Sequence, residues 1–281
     1  MSGYASGVLA IYLINVVIAY AVFLPASAGV INLGSAGFMA LGAYCSAYLN
    51  ATFALPVALT MSIAALLSGV VGFLVAFPIL RTRGIYLVLA TYAFGEIVSG
   101  VLVNLDVVGG AAGYPVNTYI GLGAIAAATL AVIAVVVYLS HTRYGLTIRA
   151  VHDDEPAASL FGVNTRLAKV ASFAIGAAIG GLAGALYGHH YNYIDVGYFD
   201  ASLSIYVLLY VLIGGTQTPY GPLVGAAVFS LLPEALRHSD RWRYVIFAAV
   251  IIILMSFRPE GLITQALIRR IAFWRRAPAR A

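Results

Sequence analysis

The sequence predicts an all-α integral membrane protein, a polytopic bundle of about 8–10 transmembrane helices with one or two broken or re-entrant segments. Three observations predict this class. The chain is 62% hydrophobic and only 9% charged, its mean hydropathy is +0.97, and no Lys, Arg, Asp or Glu precedes Arg81. An uncharged run of this length suits several spans of about 20 residues each. Because the apolar runs are continuous rather than alternating, they favour helices over barrel strands.

Nine candidate spans follow one another in a single domain that is expected to cover residues 1–281. They are 6–24, 27–49, 54–80, 84–104, 119–140, 166–189, 201–215, 219–236 and 243–259. The second contains the stretch NLGSAGF at 32–38, and GGTQTPYGP at 214–222 interrupts the region 201–236, which is either two spans or one span with a re-entrant element. Irregular backbone at membrane depth is tolerated only where it packs in protein or lines a cavity. Both stretches therefore predict breaks beside a translocation path.

The candidate translocation path combines the polar and small residues of these breaks with one intramembrane acid. Its members are Asn32, Gly34, Ser35, Gly37, Glu96, Gly214 and Gly215. For the glycines, close helix packing remains an alternative. An intramembrane carboxylate is unfavourable by a few kcal/mol and suggests a function. For Glu96 two interpretations stay open: a polar group in the path or its gate, and a structural carboxyl bonded to Tyr92 or Ser99.

Basic residues predict which ends of the helices face the cytoplasm. They cluster at Arg81 and Arg83, within 141–169, and in a basic tail at 260–281. The positive-inside rule places all three regions in the cytoplasm. No charge orients the chain before Arg81, so the topology of the N-terminal part stays open. Basic excess in a membrane protein indicates contact with anionic lipid rather than with nucleic acid.

The segment 141–165 is unusually polar for this chain. Asp154 and Glu155 precede Pro156, which is typical of a helix start, and Gly162 predicts its end. Asn164 or Thr165 can cap the following span. Because loops longer than about 12–15 residues usually have a function, the segment predicts a surface helix that offers Leu160 and Phe161 to a partner.

Other chemistry is weakly indicated. Adjacent His189 and His190 point about 100° apart on a helix with 3.6 residues per turn, and no third ligand is suitably spaced, so an aromatic interface belt is favoured over a metal site. A phosphate-binding loop needs Gly-x-x-x-x-Gly-Lys followed by Ser or Thr, whereas Lys169, the only lysine, lies between Ala168 and Val170. The chain is therefore expected to have no cofactor and no enzymatic activity of its own.

Several sequence blocks, in order, resemble the permease subunits of bacterial ABC importers for branched-chain amino acids, most closely the LivM-like permease. The blocks are INLGSAGFMALGAY (31–44), GIYLVLATYAFGEI (84–97), AVHDDEPAASLFGVN (150–164), GGLAGALYG (180–188), GGTQTPYGPLVGA (214–226), LPEALR (232–237) and FRPEGL (257–262). Many importer permeases carry Glu-Ala-Ala, three residues and then Gly in the central loop. Here Ala157, Ala158 and Gly162 have that spacing, but Pro156 replaces the Glu and Glu155 lies one residue earlier.

The resemblance implies a permease of the bacterial inner membrane that imports leucine, isoleucine and valine. Its partners would be a second permease, two cytoplasmic ATPases and an extracytoplasmic binding protein. It also implies that the central loop couples the permease to an ATPase, through Arg149, Asp153, Asp154, Glu155, Ala158, Leu160, Phe161 and Gly162. The alternative is a stand-alone, ion-coupled transporter or channel for a small polar solute such as urea or an amide. That alternative predicts transport without ATP and leaves the central loop unexplained.

Overall fold

The computed structural model describes residues 3–235, 243–257 and 261–263. Most of the basic tail at 260–281 lies outside the described residues. Each of the nine predicted spans contains a helix, and two further helices occupy the central loop. The helices are α1 Gly3–Ser27, α2 Ser35–Phe53, α3 Val57–Ile79, α4 Ile85–Val103, α5 Leu122–His141, α6 Arg143–Asp153, α7 Glu155–Leu160, α8 Thr165–Tyr191, α9 Ala201–Gly214, α10 Gly221–Ala235 and α11 Arg243–Phe257.

The predicted all-α membrane class is confirmed. Within the described part of the chain, six helices are long and apolar enough to cross a membrane: α1, α3, α4, α5, α8, and α9 with the turn before it. The strands β1 Tyr114–Pro115 and β2 Tyr193–Ile194 form one short antiparallel pair. α1 and α8 bury most of their length, whereas α3, α4 and α5 bury only a small part of theirs. The exposed apolar faces suit contact with lipid or with another membrane chain.

The centre of the bundle is α8, which packs on α1, α2 and α3. Its glycines make this possible: a Cβ at Gly181 would collide with Ser68, and a Cβ at Gly184 would collide with the backbone of Met39. Small residues at such crossings let helix backbones approach closely. The glycine stripe of α8 is therefore a packing face.

The central loop, residues 141–165, ends beside α3, where Arg166 in the first turn of α8 contacts Phe77. Arg166 Nη2 donates a hydrogen bond to the Phe77 carbonyl oxygen at 3.4 Å, and its guanidinium lies 5.5 Å from the centre of the Phe77 ring. The loop therefore lies at the same end of the bundle as Arg81 and Arg83, as the positive-inside rule predicts.

The expectation of a single helix in this loop was wrong, because α6 precedes α7. Gly145, Ile148 and Val151 form the buried side of α6, and their spacing of three residues places them on one helical face. Leu146 and Ala150, which lie in the gaps between these residues, are also apolar and mask the periodicity in the sequence.

Candidate translocation path and coupling segment

The first break in the bundle lies between α1 and α2, where residues 30–34 have no regular secondary structure and are largely buried. Side chains satisfy part of this buried backbone. Leu33 N donates to Thr91 Oγ1 at 3.0 Å, and Gly34 N donates to Asn32 Oδ1 at 2.8 Å. Asn32 is only 1% exposed, and the described residues offer no acceptor to its Nδ2 group. The predicted interruption of the span 27–49 is therefore present as the segment between α1 and α2, and α2 begins at Ser35.

The amino terminus of α2 lies at about mid-depth in the bundle. Gly180, near the middle of α8, faces the Ser35 carbonyl oxygen. Ala36 N donates to Ser204 Oγ at 3.0 Å, and Ser35 Oγ donates to the same oxygen at 3.3 Å. The Ser35 and Gly37 N–H groups have no acceptor among the described residues. A helix amino terminus carries partial positive charge, so this one is suited to an anionic group.

Gly34 and Gly37 lie where α2 leaves no room for a side chain. A Cβ on Gly34 would collide with the Thr91 carbonyl oxygen, and a Cβ on Gly37 would lie 2.9 Å from Gly95 Cα. Both glycines therefore allow α2 to approach α4 closely. The packing interpretation accounts for these two residues, while Asn32 and Ser35 supply the polar groups of the break.

Gly214 and Gly215 form a second, separate turn between α9 and α10. The segment 261–263 packs against it, since Leu262 N donates to the Ile213 carbonyl oxygen at 2.8 Å and Ile263 N donates to that of Gly214 at 3.0 Å. α9 has 14 residues, so at 1.5 Å per residue it is about 21 Å long. It approaches a hydrocarbon core of about 30 Å only together with the turn before it.

Glu96 lies on the opposite face of α4 from the first break. Its side chain is exposed, although Gly95 beside it faces Gly34 and Gly37. Ser99 Oγ donates to the Phe199 carbonyl oxygen at 3.3 Å instead of to Glu96. Within the described residues, no contact supports the alternative that Tyr92 or Ser99 holds this carboxyl. The Glu96 side chain therefore lies on the outer surface of α4, where it can contact lipid or another membrane chain.

The candidate coupling segment contains α7, which is capped at Asp154 and ends at Gly162. Asp154 Oδ1 caps α7 by accepting a hydrogen bond from Ala157 N at 2.9 Å, and Asn164 Oδ1 caps the following helix, α8, by accepting one from Leu167 N at 3.0 Å. Gly162 ends α7 with φ +82, a conformation that favours glycine. Ala158 lies on the buried side of α7, whereas Leu160 and Phe161 are 88% and 89% exposed. Two large apolar side chains are thus held outward on a capped helix.

A hydrogen-bonded ion pair anchors α7. Lys169 Nζ lies 2.7 Å from Glu155 Oε2. The hydrogen bond from Lys169 is the main reason that the pKa of the Glu155 carboxyl lies below its ordinary value of 4.5, and burial opposes this effect.

A cleft of about 280 Å³ lies between α6 and the second break. Arg149, His152 and Asp153 of α6 line one side of it, and Thr216 and Gln217 line another. Arg149 Nη2 also donates to the Ser140 carbonyl oxygen at 3.3 Å, which holds α6 against the end of α5. The structure therefore brings Arg149 and Asp153 close to the turn after Gly215, which sequence spacing does not reveal.

The interface-belt interpretation was wrong for His189, which is 1% exposed. Nε2 lies 2.8 Å from Ser46 Oγ and Nδ1 lies 2.7 Å from Thr118 Oγ1. Nδ1 is also 3.2 Å from the Thr118 carbonyl oxygen, which can only accept, so Nδ1 carries a proton in this arrangement. Sequence reasoning missed the network because its members lie on three separate segments.

The fold and the site together define a class: a polytopic α-helical membrane protein with broken helices in its interior, an arrangement typical of transport proteins. Comparison with known proteins specifies the family. Residues 4–255 match the family described as "Branched-chain amino acid transport system / permease component". The chain belongs to this family.

Individual relatives agree with this assignment. The high-affinity branched-chain amino acid transport system permease protein LivM of Escherichia coli (strain K12) is 29% identical over 84% of this chain and 64% of its own length. LivM of Salmonella typhimurium is 28% identical over the same shares, and LivH of Escherichia coli is 27% identical over 50% of this chain and 46% of its own. The chain thus spans 64% of the length of these LivM relatives. No solved structure matches it.

Proposed function

We propose that this chain is a membrane-spanning subunit of an ABC importer in a bacterial inner membrane and that it translocates leucine, isoleucine and valine. Family membership supports the transport role, and the names of the LivM and LivH relatives support the substrate class and a second permease partner. Two cytoplasmic ATPases and an extracytoplasmic binding protein would complete the importer. The chain itself would perform no covalent chemistry.

The observation that carries this proposal is the outward display of Leu160 and Phe161. Exposing two large apolar side chains to water is unfavourable unless a partner covers them. The Asp154 cap, the Gly162 end and the Glu155–Lys169 pair hold α7 in place. A rigid, amphipathic helix is suited to a groove on a soluble partner, and in this proposal the partner is the ATPase.

Alternating access would follow from the same contacts. α7 is joined by its ion pair to α8, and α8 packs along α2, which begins at the first break. Movement of α7 when the ATPases close would therefore be transmitted to the break at mid-depth, and the two permeases would rearrange around it.

The test is a mild-detergent pull-down of the tagged chain from its native membranes, combined with leucine uptake by the same cells. We expect an ATPase to accompany the wild-type chain and to be lost from the double variant Leu160→Ser, Phe161→Ser. Leu146→Ser is the matched control, since Leu146 is also exposed in this loop but lies on α6. Recovery of the intact wild-type chain without an ATPase, with uptake independent of ATP, would contradict the importer and favour ion coupling through Glu96.

A further inference from the structure

A cavity of about 220 Å³ lies between α1, α2, the end of α8 and the start of α9. The residues that line it are Ile11, Ile14, Asn15, Met39, Tyr187, Tyr191, Tyr198, Phe199 and Leu203. Ile14, Met39 and Phe199 are buried, whereas Ile11, Tyr191 and Tyr198 are exposed at its rim. The cavity is thus a partly open pocket with an aliphatic floor and an aromatic wall.

Two kinds of group in this wall suit an ammonium ion. Asn15 Nδ2 donates to Ser230 Oγ at 2.9 Å, and the described residues give its Oδ1, a hydrogen-bond acceptor, no donor. The ring of Tyr187 lies 4.6 Å from that of Tyr191 and 5.8 Å from that of Phe199, between ring centroids. Clustered aromatic rings attract cations through their faces.

The cavity is next to the break at α2. Met39 lies one helical turn after Ser35 and on the same face, and Leu203 directly precedes Ser204, whose Oγ accepts from Ala36 N. The α2 amino terminus is therefore about one helical turn, or roughly 5 Å along the helix axis, from Met39 in the cavity wall. A carboxylate belongs at such an end of a helix.

The lining also limits which side chains are accommodated. None of the residues that line the cavity is Asp, Glu, Lys or Arg, so a charged side chain placed there would be desolvated without a counter-ion. Drug-sized ligands occupy pockets of about 300–1,000 Å³, and this smaller cavity is suited to a single aliphatic amino acid.

We propose that this cavity binds the translocated amino acid, with its aliphatic side chain against Ile14, Met39 and Leu203. Its ammonium group would meet Asn15 Oδ1 and the Tyr187 ring, and its carboxylate would point toward the amino terminus of α2. The proposal rests on the proposed function and assigns a substrate site to it. It also locates substrate selection within the permease.

The test measures the rate at which N-ethylmaleimide labels single cysteines in the full chain in its native membranes, on a Cys45→Ser background. Ile11→Cys and Leu203→Cys report on the cavity. Ile205→Cys is the matched control, because Ile205 is exposed like Ile11 but does not line the cavity. We expect L-leucine to slow labelling at positions 11 and 203 at least threefold, with no effect at 205 and no effect of L-lysine.

Unchanged labelling at positions 11 and 203, or equal slowing at all three, would overturn the site. Leucine uptake by cells carrying the Cys45→Ser chain separates this result from the proposed function. Uptake without protection means that leucine is imported but bound elsewhere, and the site is overturned alone. Protection without uptake supports the site and contradicts import. If Leu203→Cys fails to fold, Ile11→Cys at the rim gives the same comparison.

Discussion

Lys169 Nζ lies 2.7 Å from Glu155 Oε2, and this ion pair joins α7 to the first turns of α8, beside the packing of Ala158 on Ala168. The Lys169 side chain is 20% exposed and that of Glu155 is 38% exposed. An ion pair so accessible to solvent contributes little to global stability. Its position gives it a different importance, because it is a direct link between the helix that displays Leu160 and Phe161 and the central helix of the bundle.

We therefore predict that Glu155→Gln changes stability and transport unequally. Because the pair is partly exposed, the free energy of unfolding should fall by no more than about 0.5 kcal/mol. Leucine uptake should fall several-fold, since α7 would be held less firmly to α8. Uptake and thermal unfolding in detergent measure the two effects. Lys169→Met should give the same loss and the double variant no further loss; additive losses would contradict coupling through the pair.

The same pair predicts a defined pH dependence. The pKa of Glu155 is lowered in the folded chain from its ordinary value of 4.5. Its contribution is therefore complete at pH values above the unfolded pKa and is lost as pH falls through the lower, folded pKa. The difference in melting temperature between wild type and Glu155→Gln should stay constant from about pH 7 to pH 5.5 and shrink below about pH 4.5. A difference that grows on acidification would contradict this assignment.

Much of this architecture could be predicted from the sequence because a bilayer imposes simple rules. Each predicted span contains a helix, since continuous apolar runs can satisfy their backbone only as helices in lipid. The caps of α7 at Asp154 and Gly162 could also be predicted, because capping depends on residues that are close together in the sequence.

Contacts across the bundle could not be predicted in this way. The Ser35–Ser204 hydrogen bond and the Ser46–His189 contact join residues far apart in the chain, and no periodicity encodes such pairs. The cavity beside Asn15 is a similar case, since four separate segments contribute its walls. Amphipathic α6 was missed for another reason: Leu146 and Ala150 are apolar as well, so its apolar residues do not fall on one face alone.

The glycine stripe of α8 predicts a sharp difference between two Gly→Ala substitutions. A Cβ at Gly184 would collide with the Met39 backbone, whereas a Cβ at Gly123 would have no neighbour within 4 Å. Overpacking at a rigid contact is destabilising by about 1–3 kcal/mol, while Ala in an exposed helix is favoured over Gly by roughly 0.5–1 kcal/mol. Gly184→Ala should therefore lower the melting temperature in detergent and Gly123→Ala should not. Equal effects on the melting temperature would show that α8 can move away from α2 without loss of stability.

The buried His189 network predicts a contrast between adjacent histidines. His189 contacts Ser46 and Thr118, so His189→Ala would remove two side-chain hydrogen bonds from the interior of the bundle, at about 0.5–1.5 kcal/mol each. His190 is only half-buried, with Nδ1 3.2 Å from the Ile120 carbonyl oxygen. We expect His189→Ala to lower the melting temperature clearly more than His190→Ala. The reverse order would contradict a structural role for the network.

Glu96 provides the last prediction, because its exposed carboxyl on α4 has no partner within the described residues. A charge that faced only lipid would be unfavourable by a few kcal/mol, so replacing it should not destabilise the chain. If the group instead meets the translocation path or the second permease, its loss should impair transport. We therefore expect Glu96→Gln and Glu96→Leu to leave the melting temperature unchanged or raised, and to lower leucine uptake at least fivefold. Ile97→Ala, the neighbouring exposed position, should leave uptake near wild type; normal uptake in Glu96→Leu would place this residue outside the path.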